Sequence, residues 1–70
     1  MERLKMTLKA ARVNASLSQE EASKKIGVTR HTLGNWECGK TYPNALHIKK
    51  IEEVYGIPYD RIIFLLRDNA

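Results

Sequence analysis

The chain has 70 residues, of which 43% are hydrophobic and 29% are charged. A chain of this length removes only about 60% of its unfolded surface from water, which excludes two domains and predicts one small domain over residues 1–70. Twelve Lys and Arg side chains outnumber eight Asp and Glu, and the resulting net charge of +4 favours an anionic partner.

Apolar residues recur three and four positions apart, while runs of alternating polarity are short. This spacing predicts an all-α fold, a compact bundle of four to five short helices. The first predicted helix covers residues 5–14, and the chain leaves it between Asn14 and Ser16, because Asn tolerates the left-handed conformation. Its inward stripe consists of Leu4, Leu8, Ala11 and Arg12.

The second and third predicted helices both begin at capping residues. Ser18 and Glu21 have the spacing of a capping box, in which each side chain bonds the backbone N–H of the other residue. This second helix ends at Gly27 and turns Ala22, Ser23 and Ile26 inward. Thr29 caps a third helix that ends at Gly39, with Val28 and Leu33 at the spacing of a hydrophobic staple.

The third helix has two unlike sides. At about 100° per residue, Leu33, Trp36 and Glu37 share the side predicted to face the core. His31 and Asn35 lie on the opposite side, which is polar. Cys38 shares that side, and Arg30, Thr32 and Gly34 flank it.

Asn44 caps a fourth helix that ends at Gly56. Its predicted inward residues are Leu46, Ile48, Ile51 and Tyr55. Pro58 then opens a short fifth segment from Tyr59 to about Leu65, within a C-terminal apolar segment over residues 59–66. That segment holds more apolar surface than one short helix can bury, so we expect two subunits to share it. The candidate dimer contacts are Ile63, Phe64 and Leu66.

Two short helices joined only by Gly27-Val28-Thr29 are typical of a helix-turn-helix arrangement, here over about residues 18–38. The chain resembles the phage-repressor and Cro-like helix-turn-helix family, also called the xenobiotic-response-element family, over roughly residues 4–65. The resemblance rests on the spacing of these elements: Arg12, Leu17-Ser18-Gln19-Glu20-Glu21, Ile26-Gly27-Val28-Thr29, Leu33, Trp36-Glu37-Cys38-Gly39-Lys40 and Tyr42-Pro43.

The resemblance implies a lambda-repressor-like DNA-binding domain whose third helix enters the major groove. The base-reading positions of the family fall on Arg30, His31, Thr32 and Asn35. Its contacts to the phosphate backbone map onto Ser18, Gln19, Thr29 and Lys40, and we add Lys9 from the basic N-terminal stretch. Arg12 and Glu37 occupy the positions of a structural ion pair between the first and third helices. His47 lies on another helix and is expected in solvent.

Four positions depart from the family pattern. Gly34 lies inside the third helix, where Gly costs about 1 kcal/mol relative to Ala, so either a close approach of DNA requires it or the helix is locally weak. Ser16 stands where the first turn usually has Gly, and Ala22 where the second helix usually has Leu. Cys38 replaces a polar or basic residue and removes one candidate phosphate contact.

These observations predict a sequence-specific regulator of transcription that binds double-stranded DNA. One short helix reads few base pairs, so we expect a homodimer on a palindromic operator, in a Cro-like or small-repressor role. The alternative is a protein-interaction module of the same fold, an antitoxin or antirepressor partner that uses the C-terminal apolar segment. An enzyme is not expected, because nothing pairs a nucleophile with a base.

The expected location is the reducing cytoplasm. Cys38 is the single cysteine and has no partner for an internal disulfide, and the sequence has no Cys or His cluster for a metal. We therefore expect no cofactor, and no small-molecule ligand is evident. The longest apolar run, residues 62–66, is far shorter than the roughly 20 residues that span a bilayer, so no membrane association is expected.

Overall fold

The computed structural model describes residues 5–65 and confirms the all-α fold. Its helices are α1 (Leu8–Asn14), α2 (Gln19–Ile26), α3 (Arg30–Glu37) and α4 (Ala45–Tyr55). Two strands of two residues each, β1 (Met6–Thr7) and β2 (Ile62–Ile63), and one 3-10 turn (Tyr59–Arg61) complete the order. The helix α2 packs against both α3 and α4.

Side-chain caps begin three of the helices at the predicted residues. The Ser18 hydroxyl accepts the Glu21 N–H at 3.0 Å, and a Glu21 carboxylate oxygen accepts the Ser18 N–H at 2.9 Å. These hydrogen bonds, with the backbone one first, lower the pKa of Glu21. Thr29 caps α3 by accepting the Thr32 N–H at 3.1 Å, and Asn44 caps α4. Each cap satisfies a backbone donor that has no partner inside its helix.

The first helix is shorter than predicted, because the chain at Met6 and Thr7 is extended. Thr7 caps α1 by accepting the Ala10 N–H at 3.1 Å, so the helix begins at Leu8 instead of residue 5. The left-handed residue after α1 is Ser16, at φ 63°, rather than Asn14. Leu4 of the predicted inward stripe lies outside the described residues.

The strands β1 and β2 pair in parallel, with Met6 opposite Ile62 and Thr7 opposite Ile63. The predicted fifth segment is therefore helical only over the 3-10 turn and extended after it. The Tyr59 N–H at the start of this turn donates to a Glu52 carboxylate oxygen of α4 at 2.7 Å. The pairing joins the two ends of the described chain and covers the core beside α1.

The core lies between the four helices and the paired strands. Its three most completely buried large side chains are Leu8, Leu33 and Ile51. The other buried apolar residues are Ala11, Ala22, Ile26, Trp36, Tyr55, Ile57 and Ile62. The inward prediction for Leu46 is wrong, since this side chain on the first turn of α4 is 79% exposed, and Ile48 is half-buried. In the part of the chain that the structure describes, no helix is long and apolar enough to cross a membrane.

Candidate nucleic-acid interface

The helix α3 is anchored on one side and open on the other. Leu33, Trp36 and Glu37 are buried, whereas Arg30 and His31 are exposed. This division follows from the sequence, because apolar residues three positions apart lie on one side of a helix. The three-residue link Gly27-Val28-Thr29 joins α3 to α2, and its half-buried Val28 packs against the core. The open side of α3 is the candidate surface for a DNA groove.

Polar side chains cover that open side. Asn35 is half-buried, and its Nδ2 lies 3.4 Å from Nε2 of the exposed His31 one turn earlier. Thr32 is also half-buried, and its hydroxyl oxygen accepts a hydrogen bond from the Thr29 hydroxyl at 3.0 Å. The exposed Cys38 thiol lies 3.6 Å from the Asn35 carbonyl oxygen. Arg30, His31 and Asn35 therefore present donors and acceptors outward, while Thr32 is engaged by the cap.

The predicted phosphate contacts differ in how free their side chains are. Lys9 and Lys40 are exposed. The Ser18 hydroxyl accepts a capping hydrogen bond, and the Thr29 hydroxyl both accepts one and donates one. Thr29 therefore has its hydroxyl hydrogen committed within the chain. Its backbone N–H at the start of α3 stays a candidate for an anion.

The predicted ion pair between Arg12 and Glu37 is present and buried. Arg12 Nε donates to Glu37 Oε2 at 2.7 Å, Nη2 donates to Oε1 at 3.2 Å, and the two side chains are 9% and 5% exposed. Arg12 Nη1 also donates to the Leu17 carbonyl oxygen at 2.9 Å. The hydrogen bonds that Arg12 donates to the Glu37 carboxylate raise the pKa of Arg12. The guanidinium thus joins α1, the first turn and α3.

Two further members of this polar cluster were missed from the sequence. Gln19 Nε2 donates to Glu37 Oε1 at 3.0 Å, so the first residue of α2 contacts the last residue of α3. The Tyr55 hydroxyl of α4 is buried and makes no hydrogen bond to a described residue. Burial raises the pKa of Tyr55 to about 12, with Glu37 adding to the shift and Arg12 opposing it. Neither the bond of Gln19 to Glu37 nor the position of the Tyr55 hydroxyl near this pair has a sequence signal, because both depend on how distant parts of the chain pack together.

Gly34 of α3 lies beside Gln19, the first residue of α2. Apart from its chain neighbours and the backbone of its own helix, the nearest heavy atom to a Cβ placed on Gly34 would be Gln19 Nε2, at 3.9 Å. This is an ordinary van der Waals separation, so the packing of the protein itself leaves room for a side chain at this position.

A groove of about 380 Å³, lined mostly by aromatic rings, lies between the loop that follows α3, the helix α4 and the C-terminal part of the described chain. Its lining residues are Tyr42, Pro43, Ile48, Tyr59 and Phe64. Among the predicted dimer contacts, Ile63 is 42% exposed, whereas Phe64 is half-buried against its own chain. Leu66 lies outside the described residues. The prediction of a solvated His47 is wrong, since its ring packs on Trp36 with 5.2 Å between the ring centroids.

No group of three or more His, Cys, Asp or Glu within residues 5–65 is arranged to hold a metal ion.

A helix-turn-helix family model matches residues 8–62 of the chain. The chain is 30% identical over 56 residues to the HTH-type transcriptional activator BcrR of Enterococcus faecalis. The matched region covers 80% of this chain and 28% of that protein. It is 32% identical over 60 residues to the SPbeta prophage-derived uncharacterized HTH-type transcriptional regulator YonR of Bacillus subtilis, covering 86% of this chain and 53% of that one. The chain thus spans about half or less of the length of these two relatives.

A third relative is matched along nearly its whole length. The uncharacterized HTH-type transcriptional regulator MJ0272 of Methanocaldococcus jannaschii is 35% identical over 66 residues, which cover 94% of this chain and 98% of that protein. No solved structure matches the chain significantly.

Proposed function

Because the chain belongs to the Cro-like helix-turn-helix family, we propose that it regulates transcription by binding double-stranded DNA at a specific sequence. The observation that carries this proposal is α3, whose buried residues fix the helix while its polar side stays open. A major groove admits one α-helix, and each base pair presents there its own pattern of donors and acceptors. The relatives named above are all named as regulators of transcription and not as enzymes.

In this proposal the open side of α3 reads bases. Arg30 supplies a planar fork of donors that suits guanine, and Asn35 supplies one donor and one acceptor that suit adenine. His31 and Thr32 complete the reading set. Lys9, Ser18, Gln19, Thr29 and Lys40 contact phosphates and hold the domain in register on the duplex. Arg12 and Glu37 contact no DNA, and their role is to hold α3 against α1.

We further propose that two copies bind a palindromic operator in the cytoplasm. A single eight-residue helix reads too few base pairs for useful selectivity, and a symmetric dimer doubles the number. The exposed Ile63 and the segment that continues to Leu66 are the proposed contact between subunits, with Phe64 at its edge.

Selection of bound duplexes from a random library tests the proposal. We expect enrichment of one palindromic sequence by the wild-type protein. The same selection with Asn35→Ala tests one proposed base contact. This variant should enrich a related sequence with relaxed preference at one base pair of each half-site. A folded wild-type protein that enriches no sequence contradicts the proposal. Recovery of a stable protein partner in its place would favour the interaction module, for which the aromatic groove is the candidate surface.

Sedimentation tests the dimer separately. We expect the wild-type protein to associate with increasing concentration or on the selected duplex, and Ile63→Asp to reduce this association, because a charge would be buried in the apolar contact. A wild-type protein that stays monomeric both alone and on DNA contradicts the dimer but not the proposal of DNA binding.

A further inference from the structure

The residues after β2 lie directly on the loop that follows α3. We call β2 together with the two residues that follow it, residues 62–65, the C-terminal strap, and we call residues 38–44 the α3–α4 loop. Gly39 of the loop is buried at φ 82°, and a Cβ placed on it would lie 2.7 Å from the Leu65 carbonyl oxygen and 3.3 Å from the Leu65 Cβ. No side chain fits between the two backbones. The close contact at Gly39 therefore depends on the absence of a side chain there.

Phe64 makes a second contact with the same loop. Its ring meets Tyr42 edge-on, with 6.4 Å between centroids and 60° between planes, and meets Tyr59 at 5.7 Å. Such aromatic pairs contribute attraction beyond the area that they bury. The strap is itself fixed at its start, since Ile62 is buried in the core and paired with Met6. Phe64 thus connects a fixed part of the fold to the loop.

Lys40 lies between these two contacts. It follows Gly39 directly and precedes Tyr42 by two residues. Its backbone N–H donates to the Asn35 carbonyl oxygen at 2.8 Å, and the Thr41 N–H reaches the same oxygen at 3.4 Å. The loop backbone at Lys40 is therefore held by α3 on one side and by the strap on the other, while the Lys40 side chain stays exposed.

We propose that Phe64 is a positioning residue for DNA binding, which holds the α3–α4 loop so that Lys40 meets a phosphate. This inference rests on the proposed function and assigns to Phe64 a role within its own subunit. A loop that is ordered before binding loses less conformational entropy when its lysine engages a phosphate. Without the ring of Phe64, Lys40 keeps its charge but loses its fixed place on the backbone of the duplex.

A double-mutant cycle on Phe64 and Lys40 tests this role, with a short duplex of random sequence as the probe. Each phosphate contact adds about one to the slope of log K against log salt. We expect Lys40→Ala to reduce the slope by about one, Phe64→Ala to reduce it equally, and the double variant to show no further loss. Two residues that act through one contact are non-additive in this way.

The control is Val13→Ala, which removes a 58% exposed aliphatic side chain from α1, outside the proposed site. We expect it to leave both affinity and slope unchanged. Association is kept equal by comparing variants at concentrations where sedimentation shows the same species. If Phe64→Ala does not fold, Tyr42→Leu tests the same ring contact from the loop side, since Tyr42 is exposed. Hydrogen exchange at the Lys40 N–H should be faster in either variant.

The outcomes distinguish the proposal that the protein binds DNA from the proposal that Phe64 positions Lys40. A wild-type protein that binds no duplex overturns both. Binding with a slope that Lys40→Ala reduces, while Phe64→Ala and Tyr42→Leu leave it at the wild-type value, overturns only the role of Phe64. A double variant that loses about two from the slope also overturns it, because the two residues then act independently.

Discussion

Gln19 and Glu37 are joined by a hydrogen bond of 3.0 Å from Nε2 to Oε1, and the same carboxylate is the partner of Arg12. The Glu37 carboxylate therefore joins the first residue of α2 and the last turn of α1 to the last residue of α3. Buried Leu33 and Trp36 hold α3 by apolar contact, which is not directional. The hydrogen bonds to Glu37 are directional. We therefore expect the angle between α3 and α2 to depend on these hydrogen bonds as well as on the apolar contacts.

Removing one partner of this buried pair should be strongly destabilising. We expect Arg12→Ala to lower the free energy of unfolding by about 3–5 kcal/mol, because the Glu37 carboxylate is left buried with its charge unpaired. Urea unfolding at pH 7 measures this change. The control is the double variant Arg12→Met, Glu37→Leu, which replaces the pair by apolar side chains and should recover most of the loss. An Arg12→Ala variant with the wild-type melting temperature would contradict a stabilising pair.

Asn35 and Lys40 should affect DNA binding in different ways. We expect Asn35→Ala to lose about 1–3 kcal/mol of discrimination at one base pair and to keep the wild-type salt dependence. Lys40→Ala should weaken binding to all sequences alike and reduce the slope of log K against log salt by about one. Binding isotherms against the selected operator and its single-base mismatches, at several salt concentrations, measure both effects. If Asn35→Ala keeps every mismatch penalty, α3 presents a different face to DNA.

The Tyr55 hydroxyl should contribute nothing favourable to stability. It is buried and has no hydrogen-bond partner among the described residues, so Tyr55→Phe should be as stable as the wild type or more stable at pH 7. Burial raises the pKa of Tyr55 to about 12 in the folded protein. An unfolded tyrosine ionises near pH 10, so the unfolded chain binds fewer protons above that pH, and stability falls as the pH rises towards 12.

Tyr55→Phe removes this part of the alkaline loss. Thermal melts of both proteins between pH 7 and pH 11 should therefore diverge above about pH 10, with the Phe variant the more stable. The remaining tyrosines and the lysines are common to both proteins and cancel in the comparison. A Phe variant that is clearly less stable at pH 7 would show that the hydroxyl has a partner.

The sequence predicted the helices well because their signals are local. Ser18, Thr29 and Asn44 cap the helices that they were expected to cap, and each bond spans three residues. The pairing of β1 with β2 could not be predicted, because two-residue strands carry no periodicity and their register depends on residues more than fifty positions apart. The burial of Leu46 on α4 was predicted wrongly, because a helical wheel does not show whether another part of the fold packs against that position.

The candidate site was predicted in part for the same reason. Helical spacing placed His31 and Asn35 on one side of α3 and Leu33 on the other, as found. The bond of Gln19 to Glu37 and the contact of Leu65 with Gly39 depend on tertiary packing between distant segments. No pattern within one element predicts such contacts.

Ser16 should be replaceable by glycine with a gain in stability. Its φ of 63° lies in the left-handed region, which costs a residue with a Cβ about 1–2 kcal/mol. Part of the gain is offset by the larger backbone freedom of glycine in the unfolded chain, so we expect Ser16→Gly to stabilise the protein by about 0.5–1 kcal/mol. Ser16→Ala is the matched control and should not stabilise, since it keeps the Cβ. Urea unfolding of the three proteins compares them directly.

Gly34→Ala should separate the stability of α3 from its approach to DNA. Outside its own helix and chain neighbours, the nearest atom to an added Cβ is 3.9 Å away, so the methyl group causes no clash with the rest of the fold, and alanine should stabilise the helix by about 1 kcal/mol. Gly39→Ala is the matched control. It should destabilise the protein, because its Cβ would meet the Leu65 carbonyl oxygen at 2.7 Å and φ is 82°. Thermal melts compare the two variants with the wild type.

DNA affinity decides between the two explanations for Gly34. It is half-buried, precedes Asn35 on α3 and lies beside Gln19, so in the proposed complex it is close to one proposed base contact and one proposed phosphate contact. We therefore expect Gly34→Ala to bind the selected operator more weakly than the wild type does, although the variant is more stable. Its affinity for random duplexes should fall less, because close approach to the bases is required only at the operator. A variant that gains stability and keeps wild-type affinity would show that glycine at this position merely weakens the helix.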